Sequence, residues 1–198
     1  MSPDTIPSRM HSIYTIGGTP GSGKSTLAKS LATTLGYERI YAGGILRDWS
    51  KQQAHNPCNL PFDEWYRSLS SNPTFDNTVD RLVGEAAKTK NNLVLEGRVA
   101  FHFVPKEKLP HTERIYITCN MNEAARRIIT HQQQNARPEE TIYQSPHHAQ
   151  KIMKERAQDE RLRYQHLYHI DITNPKNYDL IIDSTNLTPV ELFNHILL

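Results

Sequence analysis

The chain has 198 residues, a length that fits one compact domain with a hydrophobic core of its own. Hydrophobic residues make up 37% of it and charged residues 22%, which excludes the collagen-like, low-complexity and strongly disordered classes of protein. Its formal net charge of +2 is too balanced for the long basic surface of a non-specific DNA-binding protein, so we expect no nucleic-acid partner.

The two cysteines, Cys58 and Cys119, lack the paired spacing of a zinc site, and we expect neither a metal cluster nor a disulfide framework. The first ten residues contain no apolar signal core, and no later apolar run approaches the roughly 18 residues of a transmembrane helix. We therefore expect a cytoplasmic, monomeric protein that binds no membrane.

Five short apolar runs alternate with segments of helical periodicity, which is the pattern of a parallel α/β sheet. The predicted strands are Ser12–Ile16, Glu38–Ala42, Asn92–Leu95, Arg114–Thr118 and Tyr178–Ile182. The predicted helices are Lys24–Leu35, Ile45–Gln53, Phe62–Ser70, Asp76–Thr89, Asn122–Gln134, His147–Tyr168 and Pro189–Leu197. These elements predict a three-layer α/β sandwich.

Two intervals interrupt the alternation of strands and helices. The connection between the second and third strands is far longer than a usual crossover, which indicates an inserted helical region. The polar, proline-containing segment Asn135–Pro146 joins two helices and is predicted to be a flexible flap.

The first predicted strand runs into Gly-Thr-Pro-Gly-Ser-Gly-Lys-Ser at residues 18–25. This segment matches the phosphate-binding pattern G-x-x-x-x-G-K-[ST] and is called the P-loop below. Glycines let successive backbone N–H groups point at one anion, and the following helix adds partial positive charge. In this pattern Lys24 reaches the β- and γ-phosphates of ATP and is catalytic, and Ser25 binds Mg²⁺. The alternative is a glycine-rich turn with a solvated lysine, which the strand before and the helix after it disfavour. The predicted nucleotide-binding residues are Gly18, Gly21, Ser22, Gly23, Lys24, Ser25 and Thr26.

The third predicted strand is followed by Glu96, at the end of the strand where α/β sheets bind their ligands. A carboxylate beside a P-loop can orient water on Mg²⁺, so Glu96 and Ser25 form the predicted metal site. The alternative for Glu96 is a strand-ending residue exposed to solvent. The Asn-Lys-x-Asp motif of GTPases is missing from the sequence, which disfavours a GTPase.

Arg47 and Arg98 follow the second and third strands closely, so both are predicted to face the cleft beside the P-loop. Guanidinium groups match phosphate oxygens in pairs, which favours an acceptor that already carries a phosphate. A hydroxyl acceptor needs a carboxylate base, and the stretch Tyr41–Arg47 contains none. The alternative for Arg47 is a surface charge on a helix.

The predicted helix His147–Tyr168 has one face that is apolar at both ends and charged in the middle. The charges at Arg156, Glu160 and Arg163 suggest that the middle of this face lines a wet cavity. The alternative is an exposed ion pair between Arg156 and Glu160, and the pattern alone does not decide. The buried stripe would then consist of Met153, Ala157, Tyr164 and Tyr168.

Further arginines lie on the preceding helix, at Arg126 and Arg127, and in the flap, at Arg137. A flap arginine above a P-loop can stabilise transition-state charge while the flap excludes water, so Arg137 is predicted to be catalytic. The alternative for Arg126 and Arg127 is a position on the helix surface. The aromatic residues of the inserted region are predicted to form its core rather than a base-stacking platform, and they include Trp49, Trp65 and Tyr66.

Together these motifs resemble the nucleoside monophosphate kinases, and among them the archaeal-type cytidylate kinase-like family, over nearly the whole chain from Ile13 onward. The matching segments are residues 17–26, Tyr41-Ala42-Gly43 with Arg47, Leu95-Glu96-Gly97-Arg98, Arg156 with Glu160, Arg163 and Tyr164, and residues 178–184. One departure is Gly44, which stands where such proteins often carry an acidic residue.

The resemblance implies a five-stranded sheet of order 2-3-1-4-5 in a single P-loop kinase domain. Its core would comprise residues 11–43 and 91–198, with an acceptor-binding helical insert at 44–90 and a lid at 132–148. It also implies that Arg47 binds the acceptor phosphate and that Arg156, Glu160 and Arg163 line the acceptor site.

We therefore expect phosphoryl transfer from ATP, with Mg²⁺, to a nucleoside monophosphate. CMP and dCMP are the expected acceptors, and the products are the diphosphate and ADP. The alternatives are a small-metabolite kinase on the same fold and a nucleotide-binding regulator without acceptor chemistry.

Overall fold

The computed structural model describes residues 11–68, 74–134 and 142–197, and within them it places five parallel strands in one sheet. The strands are β1 (Ile13–Gly18), β2 (Glu38–Tyr41), β3 (Leu93–Glu96), β4 (Thr112–Thr118) and β5 (Leu180–Asp183). Their order is β2-β3-β1-β4-β5, and every neighbouring pair is parallel. The predicted α/β class and the strand order implied by the resemblance are both confirmed.

Seven α-helices are formed by the described residues. They are α1 (Lys24–Leu35), α2 (Ala42–Ser50), α3 (Phe62–Ser68), α4 (Thr74–Thr89), α5 (Met121–Gln134), α6 (Pro146–Tyr168) and α7 (Pro189–Leu197). Three short 3₁₀ helices, which were not predicted, cover Ala100–Phe103, Lys106–His111 and Pro175–Asn177. The predicted flap falls mostly on residues 135–141, which lie outside the described residues.

Helix α2 begins at Ala42 and ends at Ser50, so the predicted range Ile45–Gln53 is wrong at both ends. Glycines usually disfavour a helix interior, but Gly43 and Gly44 stand in its first turn. The ring of Tyr41 packs over both glycines, and a Cβ at Gly44 would lie 2.6 Å from its Cδ1 atom. Absent side chains at these two positions therefore make room for the ring.

The sheet carries one apolar cluster on each face, as expected of the middle layer of three. Alternate residues of β1 point to opposite faces, so Ile13 packs with one cluster and Tyr14 and Ile16 with the other. Helices α1 and α7 cover the face that contains Tyr14, whereas α4 covers the face that contains Ile13.

The inserted helices have a small core of their own, in which the side chains of Leu46, Phe62, Trp65, Tyr66 and Val79 are buried. Trp49 packs against this cluster, so the prediction that the aromatic residues form the core of the insert is confirmed. Nothing among the described helices is both long and apolar enough to cross a membrane.

Candidate active site

The loop between β1 and α1 brings backbone N–H groups to the carboxyl end of the sheet. Gly18 and Gly21 adopt φ values of 141° and 71°, which side chains disfavour, and a Cβ at Gly18 would lie 2.2 Å from the carbonyl oxygen of Ile117. Helix α1 has neither an acidic residue in its first turn nor a side-chain cap at Gly23. Its N-terminal N–H groups are thus available to an anion.

Lys24 lies at the start of α1 and folds back over the loop. Its Nζ atom donates a hydrogen bond to the carbonyl oxygen of Thr19 at 2.7 Å. Burial, together with the positive charge of Arg98, lowers the pKa of Lys24 to about 7. A phosphate placed beside Nζ would favour the charged form, so binding of an anion there would be coupled to uptake of a proton.

Glu96 is only 2% exposed at the end of β3, so the alternative of a solvent-exposed glutamate is wrong. One carboxylate oxygen accepts a hydrogen bond from the Ser25 hydroxyl at 2.5 Å, and the other accepts from Arg39 Nε at 3.0 Å. Arg39, on β2, was not predicted to belong to the site. The parallel register pairs Tyr41 with Glu96, so Arg39 stands two residues away on the neighbouring strand, which sequence separation does not show.

The oxygen atoms of Ser25 and Glu96 form a donor set that suits a hard divalent cation. A hydroxyl and a carboxylate within hydrogen-bond distance beside a P-loop are the ligand types that Mg²⁺ accepts directly or through water. No group of three or more histidine, cysteine, aspartate or glutamate side chains of the metal-binding kind occurs in the described ranges.

A cleft of about 230 Å³ opens beside the loop between β1 and α1, and most of the predicted site residues line it. Its walls include Gly21, Lys24, Ser25, Arg47, Glu96, Arg98, Arg156 and Glu160. The remaining predicted nucleotide-binding residues belong to the same loop or to the first turn of α1, and they are Gly18, Ser22, Gly23 and Thr26. The expectation that the charged face of α6 lines a cavity is therefore confirmed for Arg156 and Glu160.

Glu160 is 3% exposed and lies between two guanidinium groups. Its carboxylate pairs with Arg98 Nε at 2.8 Å and with Arg156 Nε at 3.0 Å. Burial raises the pKa of Glu160, but the charges of Arg98 and Arg156 outweigh burial and leave the pKa below its usual value. Arg98 also donates to the carbonyl oxygen of Gly18, so one side chain links the P-loop to α6.

Arg47 projects from α2 into the cleft between two aromatic rings. Its guanidinium carbon lies 5.0 Å from the ring centroid of Phe62 and 5.7 Å from that of Tyr41, and Nη1 donates to the Tyr41 hydroxyl. The guanidinium carbon of Arg39 lies 4.7 Å from the same Tyr41 ring centroid. The alternative of a surface charge is wrong for Arg47, because it lines the cleft.

Arg163 is buried beside the cleft rather than on its open wall. Its Nη2 atom donates to the backbone oxygen of Tyr66 at 3.0 Å, and its guanidinium carbon lies 4.3 Å from the Tyr66 ring centroid. It lines a smaller cavity together with Arg156 and Glu160. Its predicted contact with substrate stays a prediction.

The two arginines of α5, Arg126 and Arg127, make different contacts. Arg126 points outward and pairs with Glu123 at 2.7 Å, which is the surface position considered for it. Arg127 also pairs with Glu123 but donates to the carbonyl oxygens of Ser184 and Thr185, in the loop after β5. Arg137 lies outside the described residues, so its catalytic role stays a prediction.

A parallel sheet of order 2-3-1-4-5, a P-loop and a cationic cleft beside it define a P-loop kinase. The cytidylate kinase-like family matches residues 13–186, and the chain belongs to this family.

The chain is 32% identical to a cytidylate kinase of Methanococcus vannielii, over 92% of this chain and 95% of that one. It is 30% identical to a cytidylate kinase of Methanopyrus kandleri, over 92% of this chain and 89% of that one. Among solved structures, a gluconokinase of Sinorhizobium meliloti has the same fold, with a TM-score of 0.58, 14% identity and coverage of 96% and 91% of the two chains.

Proposed function

We propose that this kinase transfers the γ-phosphoryl group of ATP to a nucleoside monophosphate, with CMP and dCMP as its preferred acceptors. The observation that carries the proposal is that the two carboxylates among the described wall residues of the cleft are both already paired. Glu96 is paired with Arg39 and Ser25, and Glu160 is paired with Arg98 and Arg156. Neither is placed as a general base for a hydroxyl acceptor, whereas a phosphate acceptor is already anionic and needs none.

In this reaction an oxygen atom of the acceptor phosphate attacks the γ-phosphorus atom of ATP. The bond from that phosphorus to the β–γ bridging oxygen breaks, and ADP leaves with the bonding electrons. The P-loop N–H groups and Lys24 stabilise charge on the β- and γ-phosphates. Arg47 and Arg98 hold the acceptor phosphate against the repulsion between two anions.

When bound, Mg²⁺ supplies positive charge to the β- and γ-phosphate oxygens, and Ser25 and Glu96 are the residues that would hold it. The hydrogen bond from Arg39 holds the Glu96 carboxylate in a fixed direction for that task. Arg137 of the predicted lid is proposed to add positive charge at the transferring group once the lid closes.

A small-metabolite kinase is the second candidate, favoured only by the fold shared with a gluconokinase. A coupled ADP-release assay with CMP, dCMP, UMP, AMP, GMP, shikimate and gluconate separates the two. We expect turnover with monophosphates and none with the hydroxyl acceptors. Turnover with shikimate or gluconate alone would overturn the proposal.

Arg156→Ala tests the acceptor side of the cleft directly. Loss of one buried, charge-assisted contact costs roughly 10- to 150-fold in kcat/KM for CMP, with KM for ATP nearly unchanged. We expect an effect of the same direction in Arg163→Ala. The control is Arg161→Ala on the exposed side of the same helix, where Arg161 pairs with Asp171 at 2.6 Å. Wild-type kinetics in both acceptor-side variants would remove this face of α6 from the proposal.

A further inference from the structure

The side chain of Tyr41, the last residue of β2, lies on the wall of the cleft and is only partly buried. Within the described ranges it belongs to none of the buried apolar clusters. Its ring instead contacts two guanidinium groups, since the central carbon atoms of Arg39 and Arg47 lie 4.7 Å and 5.7 Å from the ring centroid. Cationic side chains of the cleft, rather than the core, therefore hold this ring in position.

Two glycines in the first turn of α2 leave the room that the Tyr41 ring occupies. A Cβ atom at Gly43 would lie 2.9 Å from Cε2 of the ring, and a Cβ atom at Gly44 would lie closer still. Each glycine lowers the stability of the helix, yet the ring that they accommodate stays partly exposed at the cleft. A local preference that is broken without a gain in core packing points to a functional position.

The Tyr41 hydroxyl can donate one hydrogen bond and accept two. Arg47 Nη1 donates to the hydroxyl oxygen, and it also donates to the carbonyl oxygen of Gly43 at 3.1 Å. The part of the chain that the structure describes offers no acceptor for the Tyr41 proton, so this proton is available to a group that enters the cleft. Beside a guanidinium group, an anionic oxygen atom is the acceptor that fits best.

We propose that Tyr41 is a further acceptor-binding residue, whose hydroxyl donates a hydrogen bond to an oxygen atom of the acceptor phosphate. The inference rests on the proposed function, in which Arg47 holds that phosphate. Because the Tyr41 hydroxyl lies within hydrogen-bond distance of the Arg47 guanidinium, an oxygen atom that contacts Arg47 is within reach of both donors. The Arg47 guanidinium carbon also lies 5.0 Å from the ring centroid of Phe62 in α3, which places the pair on the insert side of the cleft.

Tyr41→Phe tests the inference, because it removes the hydroxyl and keeps the ring over the two glycines. We expect kcat/KM for CMP to fall roughly 10-fold through a higher KM for CMP, with KM for ATP nearly unchanged. The matched control is Tyr37→Phe, since the Tyr37 hydroxyl donates to the backbone oxygen of His11 at 3.0 Å and Tyr37 is not a wall residue of the cleft. A wild-type KM for CMP in Tyr41→Phe, or a rise in KM for ATP alone, overturns the inference.

A role of Tyr41 that consists only of orienting Arg47 predicts a different result. Loss of the hydroxyl would then have no effect once Arg47 is removed, so kcat/KM for CMP would be equal in Arg47→Ala and in Arg47→Ala with Tyr41→Phe. A direct contact with the phosphate predicts a further fall in the double variant. The initial slope of rate against CMP concentration gives kcat/KM without saturation, and equal slopes overturn the inference.

Failure of the proposed function gives a separate signature. A wild-type protein that turns over none of the monophosphates contradicts the proposed function. The affinities for CMP and cytidine, measured by calorimetry, then test Tyr41 without turnover, because only CMP carries the phosphate. Weaker binding of CMP to Tyr41→Phe with unchanged binding of cytidine supports the inference, whereas a loss for both compounds or for neither contradicts it.

Discussion

Lys24 carries a cost in the empty protein because its charge is buried before any phosphate arrives. Its pKa is lowered to about 7 from the ordinary lysine value of 10.5, so the unfolded chain binds more protons than the folded one between these values. Stability therefore rises with pH across that window, and the penalty is complete below pH 7. The residue that we propose to bind ATP thus destabilises the fold when no phosphate is bound.

Lys24→Met is expected to separate these two effects. Phosphoryl transfer should fall by at least about 10²-fold, because the positive charge that Lys24 places beside the β- and γ-phosphates is lost. The empty variant should be more stable than the wild type near pH 6, with the difference shrinking as the pH approaches 10.5. Urea denaturation at several pH values measures it, and a variant that is less stable at every pH would contradict the pKa argument.

Gly44 and Tyr41 act as a pair. A Cβ at Gly44 would lie 2.6 Å from the Tyr41 ring, and Arg39 stacks on that ring. We expect Gly44→Asp to lower the free energy of unfolding by about 1–3 kcal/mol through overpacking. In the double variant with Tyr41→Ala the loss should be smaller than the sum of the two single losses, because the clash is gone. Additive losses in denaturation curves would contradict the clash.

Some residues of the candidate site can be predicted from the sequence alone, and others cannot. Lys24 and Ser25 follow from a motif of fixed spacing, and Glu96 follows from its place after a strand. Arg39 was missed because its place at the site depends on Glu96, a neighbour distant in sequence. Strand register, rather than local pattern, brings this pair together.

At the scale of elements, Ser184 joins three parts of the donor side. Its hydroxyl lies 2.9 Å from the carbonyl oxygen of Ser22 and 3.0 Å from that of Thr118, and it accepts from Arg127. The loop after β5 is thereby tied to the P-loop and to α5. Contacts between residues distant in sequence fix the position of the loop after β5, and the hydrophobic periodicity of the sequence does not predict such contacts.

Ser184→Ala is expected to lower the free energy of unfolding by about 1–3 kcal/mol, since it leaves buried polar groups without a partner. It should also raise KM for ATP, because the P-loop loses a support. Ser12→Ala is the matched control, because the Ser12 hydroxyl makes an exposed bond to a backbone oxygen. Equal stability of the two variants in urea titrations would show that the link at Ser184 is not structural.

The bounds of α1 and α7 agree with their predicted periodicity, whereas α2 does not. In α1 and α7 the apolar face packs on the sheet and determines where the helix runs. In α2 the start is decided by the Tyr41 ring over two glycines, a contact that helix propensity opposes. Tertiary packing thus overrides the local preference at the site itself.

At the scale of the whole molecule, the insert and α6 are in direct contact. Arg67 of α3 pairs with Glu155 of α6 at 3.3 Å, and Arg163 binds the Tyr66 backbone. Both contacts lie on the side of the cleft that we propose for the acceptor, so binding of two nucleotides is expected to tighten this interface.

Hydrogen exchange with a bisubstrate analogue checks this expectation. Amides in residues 55–90 and 132–148 should exchange more slowly in the complex, because closure excludes water from the insert and the predicted lid. Amides of β1 and β4, already buried in the sheet, serve as the internal control. Unchanged exchange in both regions would indicate a rigid, preformed site.

The cleft also makes the protein sensitive to its ionic surroundings. Lys24, Arg47, Arg98 and Arg156 face only two carboxylates among the described wall residues, so the empty cleft holds an excess of positive charge. Added electrolyte screens repulsion within it and, equally, attraction for anionic substrates, since the screening length falls from roughly 10 Å at 0.1 M to about 3 Å at 1 M. Raising the NaCl concentration should therefore increase the melting temperature of the empty protein while raising KM for ATP and for the acceptor. Ionic strength would then move the stability of this enzyme and its affinity for substrates in opposite directions.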